Sequence, residues 1–338
     1  MKVAVIGGGA AGFFAAIQAK ENHSSSSVTI FEKSQKLLAK VKVSGGGRCN
    51  VTNGTDSVSE LAKGYPRGEK QLKRAFSIFN NRDTQAWFEK RGVKLYTQPD
   101  NRVFPSSNDS QTIIDCLIHE TKRLGIQIRT GVGVSRIEPT GNCIRLHLSE
   151  NESQEFDKVV IATGGSPKRG GFDWLESLGH EIVEPVPSLF TFNMPNESIT
   201  ELMGVVADNA LVNIQGTKLK AQGPLLITHW GMSGPAILKL SAFGARILSE
   251  MNYQFKIQVN WVGEPNYDKA ADTLKESLET NPNKQISNVK PFNSPERLWQ
   301  FLLHRSEIPE TKKANELGKK QLNKLVNTLT NDEYSVSG

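Results

Sequence analysis

The chain opens on an apolar run, Lys2-Val3-Ala4-Val5-Ile6, that meets a glycine cluster in which Gly7, Gly9 and Gly12 stand in G-x-G-x-x-G spacing before helix-forming residues 13–20. Strand, tight turn and helix in that order predict a β-α-β unit. The first glycine permits the turn, the second lets backbone approach a pyrophosphate, and the third lets helix and strand pack closely. Ala10 and Ala11, at the helix start, offer unpaired N–H groups and the positive end of the helix dipole to an anion. A second strand is predicted over 28–31, closed by Glu32 with Lys33 beside it. A carboxylate there accepts hydrogen bonds from a ribose diol and repels a 2′-phosphate. FAD and NAD share this fingerprint, but no second G-x-G-x-x-G follows a later strand. The strand over 158–162 ends instead in Ala162-Thr163-Gly164-Gly165, small residues that let backbone pass close to a cofactor. One tightly held FAD is therefore expected, with NAD(P)H at most a diffusible electron donor.

Helical spacing is predicted over 69–80 and over 83–90, where Asp83 suits an N-cap. Strands are expected over 93–96 and 103–104 about a Pro99-Asp100-Asn101 turn, and a helix over 110–124 leads to a strand over 127–130. Alternating stretches follow over 133–137 and 143–148. The apolar strand 158–162 is expected to be buried on both faces. Pro185 and Pro187 exclude a central strand or helix interior and mark a boundary. Residues from 188 read as β-rich. Beyond 264, segments 294–304 and 313–329 have helical spacing, and 334–338 reads as the start of a strand. The predicted organisation is a Rossmann-type domain over 1–186, a β-rich insert over 187–262, a small helical insert over 263–333 and a returning strand at 334–338.

No continuous apolar run of about 18 residues is present, so no membrane span is expected. The N-terminus does not read as a signal peptide, which predicts a cytoplasmic protein. Cys49, Cys116 and Cys143 are odd in number and far apart, fitting neither a disulfide framework nor a zinc cage. Net charge is +6, and residues 33–129 hold 18 Lys and Arg against 9 Asp and Glu. Such a surplus attracts phosphates, acidic substrates or RNA, or is simply a solvated face.

Lys42 to Asn53 read Lys-Val-Ser-Gly-Gly-Gly-Arg-Cys-Asn-Val-Thr-Asn. Gly45, Gly46 and Gly47 expose backbone N–H groups, Arg48 adds a fixed charge, and Asn50 and Asn53 offer donors and acceptors. Together with VIGGGAAG at 5–12, IATGGSP at 161–167 and GPLLITHWGMSGPAIL at 223–238, this segment resembles a bacterial family of NAD(P)/FAD-dependent oxidoreductases. That family has aminoacetone-oxidase-like and 3-dehydro-bile-acid-reductase-like members. The resemblance covers essentially the whole chain. It implies an α/β fold: a glutathione-reductase-type FAD-binding Rossmann domain with an inserted β-barrel-like domain and a small helical domain. It further implies that Gly7, Gly9, Gly12 and Glu32 hold the ADP half of FAD and that Gly45 to Cys49 and Asn50 lie along the pyrophosphate and flavin. Val134 would offer backbone to adenine, and Thr163 to Gly165 would lie near the cofactor's middle. Lys40 matches a basic position before the loop, with a solvated lysine as the competing reading. Family members continue into a segment resembling GLYFAGEVLDVDGxxGGYN, which has no counterpart here; a truncated chain is one expectation.

His229, in Thr228-His229-Trp230-Gly231, is the candidate acid or substrate donor. The competing reading is a histidine that pins a turn. Cys49 lacks a resolving partner and reads as loop packing. The expected activity is oxidation or reduction of a small organic molecule. An RNA-modifying flavoenzyme and a catalytically incompetent fragment stand as alternatives, although no RNA-binding module is recognisable and no nucleic-acid partner is expected.

Overall fold

Strand Lys2–Ile6 is buried from Val3 to Ile6, so its backbone and both of its faces must be covered. It is flanked in parallel by Ser27–Glu32 on one side and Lys158–Ile161 on the other, and Gln127–Thr130 completes a four-stranded sheet next to Ser27–Glu32. Successive side chains point to opposite faces. Val3 and Val5 therefore join Phe13 and Ile17 of helix Ala10–Asn22, and Ile113 and Leu117 of helix Gln111–Arg123, in one core. Ala4, Ile6 and Phe31 join Ile137, Leu146 and Phe156 in another. These last residues belong to an antiparallel sheet of Val134–Thr140, Cys143–Leu148 and Ser153–Phe156. The result is three layers: helices, parallel sheet, antiparallel sheet.

The computed structural model describes residues 1–149, 152–166 and 169–338; Pro167, the last residue of the IATGGSP motif, lies outside them. Two predictions need correction. Strand Lys158–Ile161 pairs with one neighbour and forms a sheet edge; Val160 and Val159 are half-buried against the cores on its two faces and Ile161 is 40% exposed, so the strand is covered on both faces only in part. Helix Asn81–Glu89 is capped by Asn80, not Asp83. Asn80 Oδ1 accepts the N–H groups of Arg82 and Asp83, and Asp83 returns a bond to the Asn80 N–H as the other half of a capping box.

The chain divides into units Met1–Pro185 and Val186–Gly338. The second is built on a six-stranded antiparallel sheet in the order Phe192–Asn193, Gly231–Ser233, Lys220–Thr228, Val206–Ile214, Gln254–Asn260, Asp332–Ser337. It curls until the Asn193 N–H donates to Gly338 O at 2.7 Å, which nearly closes it into a barrel. Helices Pro235–Glu250, Tyr267–Glu279, Glu296–Arg305 and Lys319–Thr330 contribute Leu240, Leu274, Trp299 and Leu325 to the same core as Ile257 and Val259 of the sheet.

Candidate functional site

The glycine turn divides its labour between packing and open space. Gly7 adopts φ +117°, and a Cβ there would lie 2.3 Å from Ala162 O. A Cβ on Gly12 would lie 1.9 Å from Gly7 O. Neither position admits a side chain. At Gly9 a Cβ would meet nothing within 4 Å. Gly9 is the N-cap of helix Ala10–Asn22, and no side chain caps that end. Its first-turn N–H groups remain available to an anion.

Glu32 Oε2 accepts the Gly8 N–H at 2.8 Å and Oε1 accepts the Ser34 N–H at 2.8 Å. Burial pushes this carboxyl up, but the backbone donors of Ser34 and Gly8 outweigh it and hold the group below its usual range. Glu32 is thus an oriented carboxylate with lone pairs to spare. Ser34 was not legible as part of this arrangement, although a hydroxyl residue two positions past a strand-end carboxylate is a recognisable turn signal.

Two cavities meet at the turn. One of 390 Å³ is lined by Gly7, Gly9, Ala10, Ala11, Lys40 and Ala162, among others. The other, of 310 Å³, is lined by residues including Lys33, Val134, Gly165 and Trp174. Glu32, Thr163 and Gly164 border both. The strand end and the glycine turn are stitched together by the Ala162 N–H, which donates to Ile6 O at 2.8 Å. Lys40, on the short helix Ala39–Val43, brings its ammonium to 3.5 Å from where a Gly164 Cβ would stand. The structure therefore gathers Gly7 to Ala11, Glu32, Lys33, Lys40, Val134 and Ala162 to Gly165 around one groove, with Gly12 buried behind it. A pyrophosphate fits the open space at Gly9 and a ribose fits Glu32, so the residues present suit a dinucleotide.

Ser44–Gly47 forms a tight turn with Gly45, Gly46 and Gly47 all at positive φ, followed by Cys49 at φ +62°. It is tied down by the Cys49 N–H to Ser44 O bond at 3.0 Å and by the Ser110 N–H to Gly47 O bond at 2.9 Å. Gly46 and Gly47 border open space, whereas a Cβ on Gly45 would press on Asn50 N and Phe104 at 2.8 Å. Arg48 lays its guanidinium over the Phe104 ring at 4.1 Å and donates to Gly45 O. Asn50 is exposed. Asn53 is engaged locally: its Oδ1 accepts the Thr55 N–H, and Asn81 Nδ2 donates to Asn53 O and Thr55 O. Cys49 is buried, and burial pushes its thiol up despite a hydrogen bond with Ser44. A protonated, enclosed thiol fills space and is a poor nucleophile.

His229 lies in the second unit, on the turn between Lys220–Thr228 and Gly231–Ser233, exposed and edge-on to Trp230 at 4.4 Å between ring centroids. Glycines of its motif have packing duties: a Cβ on Gly231 would lie 2.1 Å from Phe192 O, and one on Gly234 would lie 2.7 Å from Pro224 O.

Among known proteins, the chain is 25% identical over 336 residues to a 3-dehydro-bile acid delta(4,6)-reductase of Clostridium scindens, covering 96% of this chain and 80% of the relative. It is 25% identical over 345 residues to a ribosomal RNA dihydrouridine synthase of Haemophilus influenzae, covering 99% and 81%. A solved structure of a flavocytochrome c3 fumarate reductase in its open conformation matches with a TM-score of 0.43 at 17% identity, over 61% of this chain and 46% of that one. The HI0933-like protein Rossmann domain profile matches residues 1–322, and the chain belongs to that family of FAD-binding proteins.

Proposed function

We propose that the chain is an FAD-dependent oxidoreductase of a small organic substrate, its flavin reduced by NAD(P)H or another diffusible donor. The observation that carries this reading is the groove at Gly9, open where a pyrophosphate must pass and bordered by the oriented Glu32 carboxylate. Bound FAD supplies the hydride chemistry at its N5. The chain's own residues would hold it: the helix start at Gly9 to Ala11 and Lys40 at the phosphates, Glu32 at a ribose, and Thr163 to Gly165 along the middle. His229 is retained as the candidate proton donor.

The purified chain should be yellow, with flavin absorbance that survives gel filtration near one FAD per chain. Anaerobic NADH or NADPH should bleach it. A colourless chain that takes up no added FAD would sink the reading.

RNA modification is a second reading, favoured by the relative named as a ribosomal RNA dihydrouridine synthase. Ion pairs with acids outside that segment, Arg91 and Arg123 with Glu21 and Arg129 with Glu152, offset only a small part of the basic surplus over 33–129, so binding itself has to decide. A salt-sensitive shift of structured RNA at submicromolar protein would favour RNA over a small molecule.

A further inference from the structure

The second unit holds a cavity of 260 Å³ that the flavoenzyme reading does not use. Val212 and Ile214 of strand Val206–Ile214 point into the core, so Leu211 and Asn213, which line the cavity, lie on the other face of the sheet. Strand register carries the polar wall across three strands, with Asn213 opposite Lys220 on one neighbour and opposite Gln258 on the other. Pro265 and Tyr267, at the start of helix Tyr267–Glu279, and Thr330 and Asn331, at the end of helix Lys319–Thr330, complete the lining. Much of it is fixed in advance. Asn260, 7% exposed, accepts the Val262 and Gly263 N–H groups on Oδ1 and donates to Glu264 O, which fastens the segment leading to Pro265. The Thr330 hydroxyl donates to Val326 O, and the Tyr267 hydroxyl to Asn323 O. Gln258 is spent on Asn213 Nδ2 and on Glu333.

Three polar groups of the lining are not spent. The Lys220 ammonium, Asn213 Oδ1 and Asn331 Oδ1 have no partner among the described residues, and no carboxylate lines the cavity. Asn213 is half-buried and the other two residues are exposed, so all three can be reached by a solute. An ammonium only donates and calls for an anion, whereas two amide oxygens call for donors such as hydroxyls. Tyr267, 39% exposed, adds a flat apolar wall. The volume is just below the 300 Å³ or so at which drug-sized sites begin. We propose that this cavity binds a polyhydroxy anion of monosaccharide size, its phosphate or carboxylate on Lys220 and its hydroxyls on Asn213 and Asn331. Every lining residue belongs to Val186–Gly338, so the site stands or falls independently of the flavin groove.

The test titrates the full chain, with saturating FAD present, with glucose 6-phosphate, gluconate, glucose and inorganic phosphate by calorimetry. At least one of the two sugar anions should bind about tenfold more tightly than both glucose and phosphate, because only it engages the lysine and the amides together. Which of the two does so tells a phosphate site from a carboxylate site. Lys220→Gln should bring that ligand down to the affinity of glucose. Asn213→Leu, which removes one acceptor and narrows the cavity, should weaken the sugar anion and glucose alike. Sugar anions that bind no better than glucose and phosphate would overturn the proposal. So would phosphate binding as tightly as glucose 6-phosphate, which marks an adventitious ion only. A preference for a sugar anion that survives Lys220→Gln would place the binding elsewhere, the flavin groove included, and overturn it as well.

Discussion

Gly9 and Gly12 belong to one motif but answer to different physics. At Gly9 the backbone is extended, with φ −92° and ψ −178°, and nothing lies within 4 Å of a Cβ. The free protein therefore tolerates a side chain there. Gly9→Val should lose FAD retention, because the added methyls occupy the phosphate path, while the melting temperature of the cofactor-free protein moves by less than about 4 °C. Gly12→Val should fail to fold, since its Cβ would overlap Gly7 O. Absorbance after gel filtration and thermal melts of the two cofactor-free variants separate the cases. Retained FAD in Gly9→Val would refute the cofactor assignment. These contrasts also mark what a sequence can carry. The spacing of Gly7, Gly9, Gly12 and Glu32 was legible because each residue type has a narrow physical use. Asn213 and Lys220 were not, because polar residues alternating along a strand read as a solvated face until the register sets them beside Gln258 and the ends of two helices.

Among the elements, the final strand Asp332–Ser337 shows how a terminal segment is fastened. Asp332 is 4% exposed and receives bonds from Trp261 Nε1 at 3.0 Å, Arg305 Nε at 2.9 Å and the Tyr334 hydroxyl. One carboxylate thereby ties this strand to helix Glu296–Arg305 and to the residue that follows strand Gln254–Asn260. Removing it leaves an arginine and two buried donors without their acceptor. Asp332→Ala should cost about 3–5 kcal/mol in urea unfolding of the second unit. Burial pushes the Asp332 carboxyl above its ordinary value despite these donors. The folded state then holds its proton more tightly than the unfolded one. The proton-linked part of the stability is full below the ordinary value of 3.8 and is lost as pH rises through the raised folded value, separately from the hydrogen bonds to Trp261, Arg305 and Tyr334. Asp332→Asn should lack that decline, and stability of both proteins followed upward from pH 3.8 checks the sign. A sequence does not announce such a clamp: residues 334–338 read as a strand, but its partners in space, Trp261 and Arg305, are distant along the chain. Strand Lys158–Ile161 misled in the opposite way, since Val159 and Val160 suggest a central strand while edge position depends on pairing alone.

For the whole molecule, the division between Pro185 and Val186 has a consequence for the cofactor. Residues 180–191 form neither helix nor strand, and Glu181, Val183, Glu184 and Leu189 are exposed. A protease needs an extended stretch of backbone that lacks secondary-structure hydrogen bonds, and this segment supplies one. Brief subtilisin treatment of the native chain should therefore cut first within 181–189 and yield two fragments. Every residue lining the glycine-turn groove comes from Met1–Pro185. FAD should consequently follow the N-terminal fragment through gel filtration, and saturating FAD should slow further digestion of that fragment and not of the other, because a ligand stabilises only the unit that binds it. Mass spectrometry of the first products and the flavin absorbance of each fraction read both outcomes. Flavin that leaves with Val186–Gly338, or protection spread evenly over the two fragments, would show that the groove at Gly9 is not by itself the cofactor's holder.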